Sequence, residues 1–114
     1  QRLVRVICTN CKTDAPPDKS IARRIDLVGL GLTHTWKGAG CDECRGTGYR
    51  GRTGVYELLV MDNDLRLEVQ RRRGSEELRA MAVQKGMRTL LDDGVRTARA
   101  GITTVEEVLR VARA

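Results

Sequence analysis

The sequence has no phenylalanine, one tryptophan and two tyrosines in 114 residues. Any core it forms must therefore be aliphatic, and side chains for stacking nucleobases are scarce. With a single histidine, no Ser–His–Asp set stands out. There is no run of about 18 apolar residues, so no membrane span is expected. No apolar leader follows Gln1, which runs straight into a cysteine pair, so no signal peptide is expected. Gln1 is also not an initiator methionine, which fits a chain processed, tagged or cut from something longer. The pattern G-x-x-x-x-G-K-[ST] is absent, and with it a phosphate-cradling loop. The adjacent acids Asp92-Asp93 and Glu106-Glu107 fall at helix starts, where anions are favoured without catalysis. By itself this chain does not look like an enzyme. It has no internal repeat and no low-complexity tract.

What is present suits one domain, or one domain with a small satellite. A chain of this size buries roughly 60 to 70% of its unfolded surface, enough for a modest core. The formal charge is +6. Residues 1–61 carry ten Lys/Arg against six Asp/Glu, and residues 62–114 eleven against nine. This mild, interspersed excess permits an acidic partner without demanding one.

Composition breaks near Met61. Before it lie all four cysteines, both prolines and most glycines. The stretch QRLVRVIC is apolar enough for a strand or a helix end. TDAPPD is a loop, because paired prolines cannot sit inside a helix. A short helix is expected from Asp18 or Ser20, with Ile21, Ile25, Val28 and Leu32 on one face. Leu32–Lys37 and Thr53–Met61 read as strands. After Met61 come short helices. Asp62 or Asn63 caps one with Leu65 and Val69 inward, and Ser75 caps another with Leu78, Met81 and Ala82 inward. Thr89 starts a third with Leu91, Val95 and Ala98 inward, at the cost of Gly94 inside it. Thr103 and Glu106 fit a capping box ahead of Val105, Val108, Leu109 and Ala112. The expected class is α+β: a small metal-binding module with a short helix and a β-hairpin, over 1–61, then a bundle of short helices over 62–114.

The cysteines carry the chemistry. Cys8-x2-Cys11 and Cys41-x2-Cys44 are separated by 29 residues. Two such pairs, with no other cysteine, point to a four-thiolate Zn2+ site. The spacer exceeds the usual length, but loop closure makes the excess cost only about 0.4 kcal/mol. Metal binding contributes on the order of 10 kcal/mol. Two disulfides, a redox pair and an iron–sulfur site are the alternatives weighed against zinc. Four thiolates leave no open position, which argues for a structural ion. Gly46 and Gly48 are expected to fold backbone over the sulfurs, and Gly51 and Gly54 to turn the chain into the next strand. His34 reads as a structural or surface residue, and Arg71-Arg72-Arg73 as a solvated helix end. Four thiolates and one Zn2+ would bring the net charge to +4.

Three stretches together resemble a known family: QRLVRVIC-x2-C, GAGCDECRGTGYRGRTGVYELL and GMRTLLDDGVRTARAGITTVEEVLRV. In order and over nearly the whole chain, they are similar to the C-terminal region of the type II secretion and type IV pilus assembly ATPases, the GspE-like traffic ATPases. The resemblance implies that Cys8, Cys11, Cys41 and Cys44 bind a structural zinc beside a nucleotide-binding domain. It implies a cytoplasmic homo-hexamer that hydrolyses ATP with Mg2+, docked on inner-membrane platform proteins. The ATP and Mg2+ site would lie upstream of Gln1, so no catalytic residue is carried onto this chain. Its expected role is to buttress and couple the motor core. Two other functions compete. A nucleic-acid-binding zinc ribbon suits four cysteines and a basic balance, but mixed charges and scarce aromatics argue against nucleic acid. A chaperone zinc domain of the DnaJ type matches at Cys41-x2-Cys44-x-Gly46-x-Gly48, whereas the first pair lacks both glycines.

Overall fold

A computed structural model describes residues 1–112. In chain order it holds β1 (Arg2–Ile7), β2 (Lys12–Asp14), α1 (Lys19–Arg24), β3 (Trp36–Gly38) and β4 (Tyr49–Val55). Four further helices follow: α2 (Asn63–Gln70), α3 (Ser75–Gln84), α4 (Leu90–Arg99) and α5 (Val105–Val111). The class is α+β. β1 pairs antiparallel with β4, and β2 with β3, so α1 lies between the strands of the second pair in sequence.

Strand β1 settles the ambiguous QRLVRVIC stretch in favour of extended chain. Its register against β4 slips between Arg5 and Ile7. Such a bulge re-aims the residues beyond it, and here Ile7 and Cys8 both end up buried. The β4 partner stretch ends at Val55, opposite Arg2. The strand expected to run on to Met61 therefore stops six residues early, at the last pair of the β1–β4 ladder.

Helix α1 is shorter than its apolar spacing predicts. Asp18 caps it by accepting from the Ser20 N–H, but Ile25 is already extended, at φ −140° and ψ 155°. A turn then closes between the Leu32 N–H and the Leu27 carbonyl, at 2.8 Å. That turn carries Leu32 into the core and leaves Val28 77% exposed. Ile21, Ile25 and Leu32 join Val95 and Ala98 of α4 and Val105, Val108 and Leu109 of α5 in one aliphatic cluster. The core thus draws on both sides of Met61.

The helix starts follow capping chemistry. The Asp62 carboxylate accepts from the Leu65 N–H at 2.8 Å, and Thr89 forms a reciprocal capping box with Asp92. Helix α3 is capped by Gly74 rather than Ser75, with no side-chain cap bond. In α2, Leu65 is buried but Val69, one residue before the helix ends, is exposed. Gly94 is needed inside α4: a methyl there would lie 2.6 Å from Val108 Cγ1 of α5.

The last helix starts one residue later than the expected box. Thr104, not Thr103, accepts from the Glu107 N–H, and Thr103 Oγ1 donates to the Arg5 carbonyl at 2.7 Å. The shift turns Glu107 inward. Its carboxylate accepts from the Arg5 backbone N–H and guanidinium, at 2.8 Å each, and from Arg110 Nη2 at 2.9 Å. Arg5 also lies over the Tyr49 ring, 4.1 Å from its centroid, and Tyr49 OH meets Thr104 Oγ1 at 2.8 Å.

Two measurements check this packing. Gly94→Val should lower stability by about 1 to 3 kcal/mol in thermal unfolding, with part of the loss recovered by adding Val108→Ala. Burial opposes ionisation of Glu107, but Arg110 and Arg5 outweigh it and hold the carboxyl at about 2, below the ordinary 4.5. Because the folded value is depressed, the ion pairs stabilise fully above about pH 4.5 and are lost as pH falls toward 2. Over that window the wild type should lose about 2 to 3 kcal/mol more than Glu107→Gln in urea unfolding.

Candidate metal centre

The bulge in β1 delivers Cys8 to the interior, where its N–H donates to the Gly48 carbonyl at 2.9 Å. Cys11 follows after a tight turn, and its carbonyl accepts from the Ala39 N–H at 3.0 Å. The second pair sits in a turn closed by the Gly46 N–H on the Cys41 carbonyl, at 2.8 Å. These bonds face the two turns toward each other. All four sulfurs lie within 4.8 Å of one another.

The spacing within that cluster is informative. Cys8 and Cys41 sulfurs are 3.7 Å apart, Cys11 and Cys44 3.8 Å, and Cys41 and Cys44 3.6 Å. A disulfide needs about 2.05 Å, so all four thiols are free. A tetrahedron with metal–sulfur bonds of about 2.3 Å has edges of about 3.8 Å. Four soft donors at that spacing suit a closed tetrahedral ion such as Zn2+ better than a hard cation.

Backbone donors surround the sulfurs. The N–H groups of Cys41 and Gly48 both point at Cys44 Sγ, at 3.2 Å each, and the Gly40 N–H points at Cys11 Sγ, at 3.3 Å. Burial opposes charge on Cys44, yet the N–H groups of Cys41 and Gly48 outweigh it and bring the thiol down to about 6. Asn10 and the Cys44 backbone lower Cys41 as well, whereas burial pushes Cys11 up to about 11. A cation would have to displace the Cys11 proton, so uptake releases acid. Gly48 serves as expected, at φ +80°, while the N–H of Gly46, at φ +77°, closes the turn instead of meeting a sulfur. Gly51 and Gly54 lie inside β4 rather than ahead of it.

His34 stands apart from the cluster. Its Nε2 is 3.1 Å from Asp14 Oδ1, and its ring meets the Trp36 edge at 4.5 Å. Arg71 and Arg73 are paired at the end of α2, with Glu68 at 3.1 and 2.7 Å, and Arg73 also reaches Glu77. The joint between Arg5, Glu107 and Arg110 was not anticipated from the sequence. Its only local signal is the i, i+3 spacing of Glu107 and Arg110.

A family model described as "Type II/IV secretion system protein" matches residues 1–110. Among curated proteins, the chain is 43% identical over 111 residues to "Type IV pilus assembly ATPase PilB" of Thermus thermophilus, covering 96% of this chain and 12% of that protein. It is 39% identical over 113 residues to "Type II secretion system protein HxcR" of Pseudomonas aeruginosa, covering 99% of this chain and 20% of that one. "Type II secretion system protein E" of the same organism is 40% identical over 113 residues, with 99% and 22% covered. The chain therefore spans between 12% and 22% of the length of these relatives.

Gly48 offers a direct check on the sulfur cage. A side chain there faces a positive φ and would meet the Gly38 carbonyl oxygen at 2.5 Å. Gly48→Ala should shift the backbone off Cys44 and weaken Co2+ or Zn2+ uptake by about 10-fold or more. Competitive titration with a chromophoric chelator reads the change.

Proposed function

The chain belongs to the type II/IV secretion system protein family, and from that premise we propose that it is the zinc-stabilised C-terminal part of an ATPase that powers type II secretion. The four-cysteine cluster carries the reading. Cys8, Cys11, Cys41 and Cys44 would hold Zn2+, and four thiolates leave it no position for substrate or water. Bound there, the ion supplies folding free energy rather than chemistry. The residues of this chain do the rest by position: they buttress the motor and pass its movement on.

The aliphatic core supports that mechanical role. Ile21, Ile25 and Leu32 pack against α4 and α5, so a metal-binding section over 1–61 and a helical section over 62–114 would move as one body. ATP and Mg2+ would bind in the parent protein outside residues 1–114. The parent would work as a homo-hexamer in the cytoplasm, held at the inner membrane by platform proteins. No helix among the described residues is long and apolar enough to cross a membrane, so attachment through partners suits this part of it. Relatives named for pilus assembly and for secretion leave pilus assembly as the neighbouring use of the same device.

The test is made in the native gene product that contains this chain. Metal analysis should find about one zinc per chain, and Cys41→Ser with Cys44→Ser should remove it. Secretion should fall to background in that variant while nucleotide still binds the parent. Wild-type secretion from a zinc-free variant would overturn the proposal.

A further inference from the structure

Residues 56–61, Tyr-Glu-Leu-Leu-Val-Met, connect β4 to α2 without regular structure. Apart from Glu57 they are largely apolar yet stand in solvent: Leu58 and Val60 are 74% and 72% exposed, and Tyr56, Leu59 and Met61 are exposed as well. Among the described residues, no backbone N–H or C=O from Leu58 to Met61 has a hydrogen-bond partner. Among the described residues its polar ties are all at the start of the segment, where the Glu57 carboxylate also pairs with Arg79 at 3.3 Å. Asp93 accepts from the Tyr56 N–H at 2.8 Å, and the Glu57 carboxylate accepts from the Leu90 N–H at 2.9 Å.

Alternate residues face different spaces. Tyr56, Leu58 and Val60 line an open cavity of about 400 Å3 with Leu65 and Ala82. Glu57 and Leu59 line another of about 490 Å3 beside Leu78 and Met87. That period of two is the geometry of a strand. Apolar residues on both faces mark a strand covered on both sides, the pattern of an inner strand in a layered α/β sheet. Free backbone groups on both edges ask for a neighbour on each side.

We propose that residues 56–61 are an inner strand of a sheet supplied by the part of the parent protein outside residues 1–114. The inference rests on the reading of this chain as part of a larger ATPase. The chain spans 12% to 22% of its relatives' length, so a parent of that size has the chain to build such a sheet. A second copy of the segment suits it less well, because pairing two copies covers one edge of each and leaves the other open. The strand would continue straight from β4, which itself runs from the Cys41–Cys44 turn. Movement of the parent's sheet would then reach the metal centre through unbroken backbone.

Hydrogen exchange on the intact native protein tests this. The amides of Leu58 to Met61 should exchange on the order of a thousandfold slower than in a free peptide. Exchange near the free-peptide rate overturns the proposal. Protection that disappears on dilution to monomer also overturns it, in favour of a second copy. Leu58→Lys should abolish the protection, whereas Leu3→Lys on β1 should leave it unchanged; if Leu58→Lys does not fold, the wild-type exchange rates decide. ATP hydrolysis is measured on the same sample. Protected amides without hydrolysis reject the ATPase reading and keep the strand, and hydrolysis with unprotected amides rejects the strand alone.

Discussion

Glu107 is a carboxylate buried where the first strand meets the last helix, and much of the arrangement hangs from it. A buried charge is tolerable only when every oxygen finds a donor. Here the donors come from Arg5, 102 residues away, and from Arg110 on the same helix. Satisfying them fixes the distance and direction of α5 relative to β1. Tyr49 then closes the joint, under the Arg5 guanidinium and against Thr104. Three elements are thereby oriented by one side chain.

The metal centre inherits that orientation. The loop before α5 is bonded to β1, through the Ile7 N–H on the Ile102 carbonyl and Thr103 on the Arg5 carbonyl. The bulge between Arg5 and Ile7 then turns Cys8 inward. Cys8 binds Gly48, and Gly48 binds the Cys44 sulfur. The route from terminal helix to sulfur cluster is short and made of hydrogen bonds. An aliphatic core of eight buried residues cannot do much more than hold α1 against α4 and α5. Four sulfurs gathered at one point are placed for a metal cross-link, which aromatic packing does not supply here.

The same economy explains the exposed segment after β4. A chain with few large side chains has little to spare for covering Leu58 and Val60. The ladder between β1 and β4 ends at the pair Arg2 and Val55. The apolar run is thus left for something outside residues 1–114 to cover.

Local interactions were legible in the sequence. The Cys-x2-Cys spacings, the glycines behind the second pair, the caps at Asp62 and Thr89, and the apolar stripe of α5 depend on residues a few positions apart. Backbone geometry over one turn decides such features, so spacing alone predicts them. What failed to show was set by an unforeseen turn or across the chain. Val28 had the right period for the α1 face, but the turn from Leu27 to Leu32 placed it outside. Thr103-x2-Glu106 and Thr104-x2-Glu107 are equivalent as local capping patterns. Arg5, a strand residue a hundred positions earlier, chose between them by drawing Glu107 inward. The sequence by itself picked out the four cysteines that the fold brings together and the apolar stripe of α5. Only the tertiary structure decided the register of α5, the length of β4 and the buried ion pairs, because those follow from which distant groups must be satisfied together.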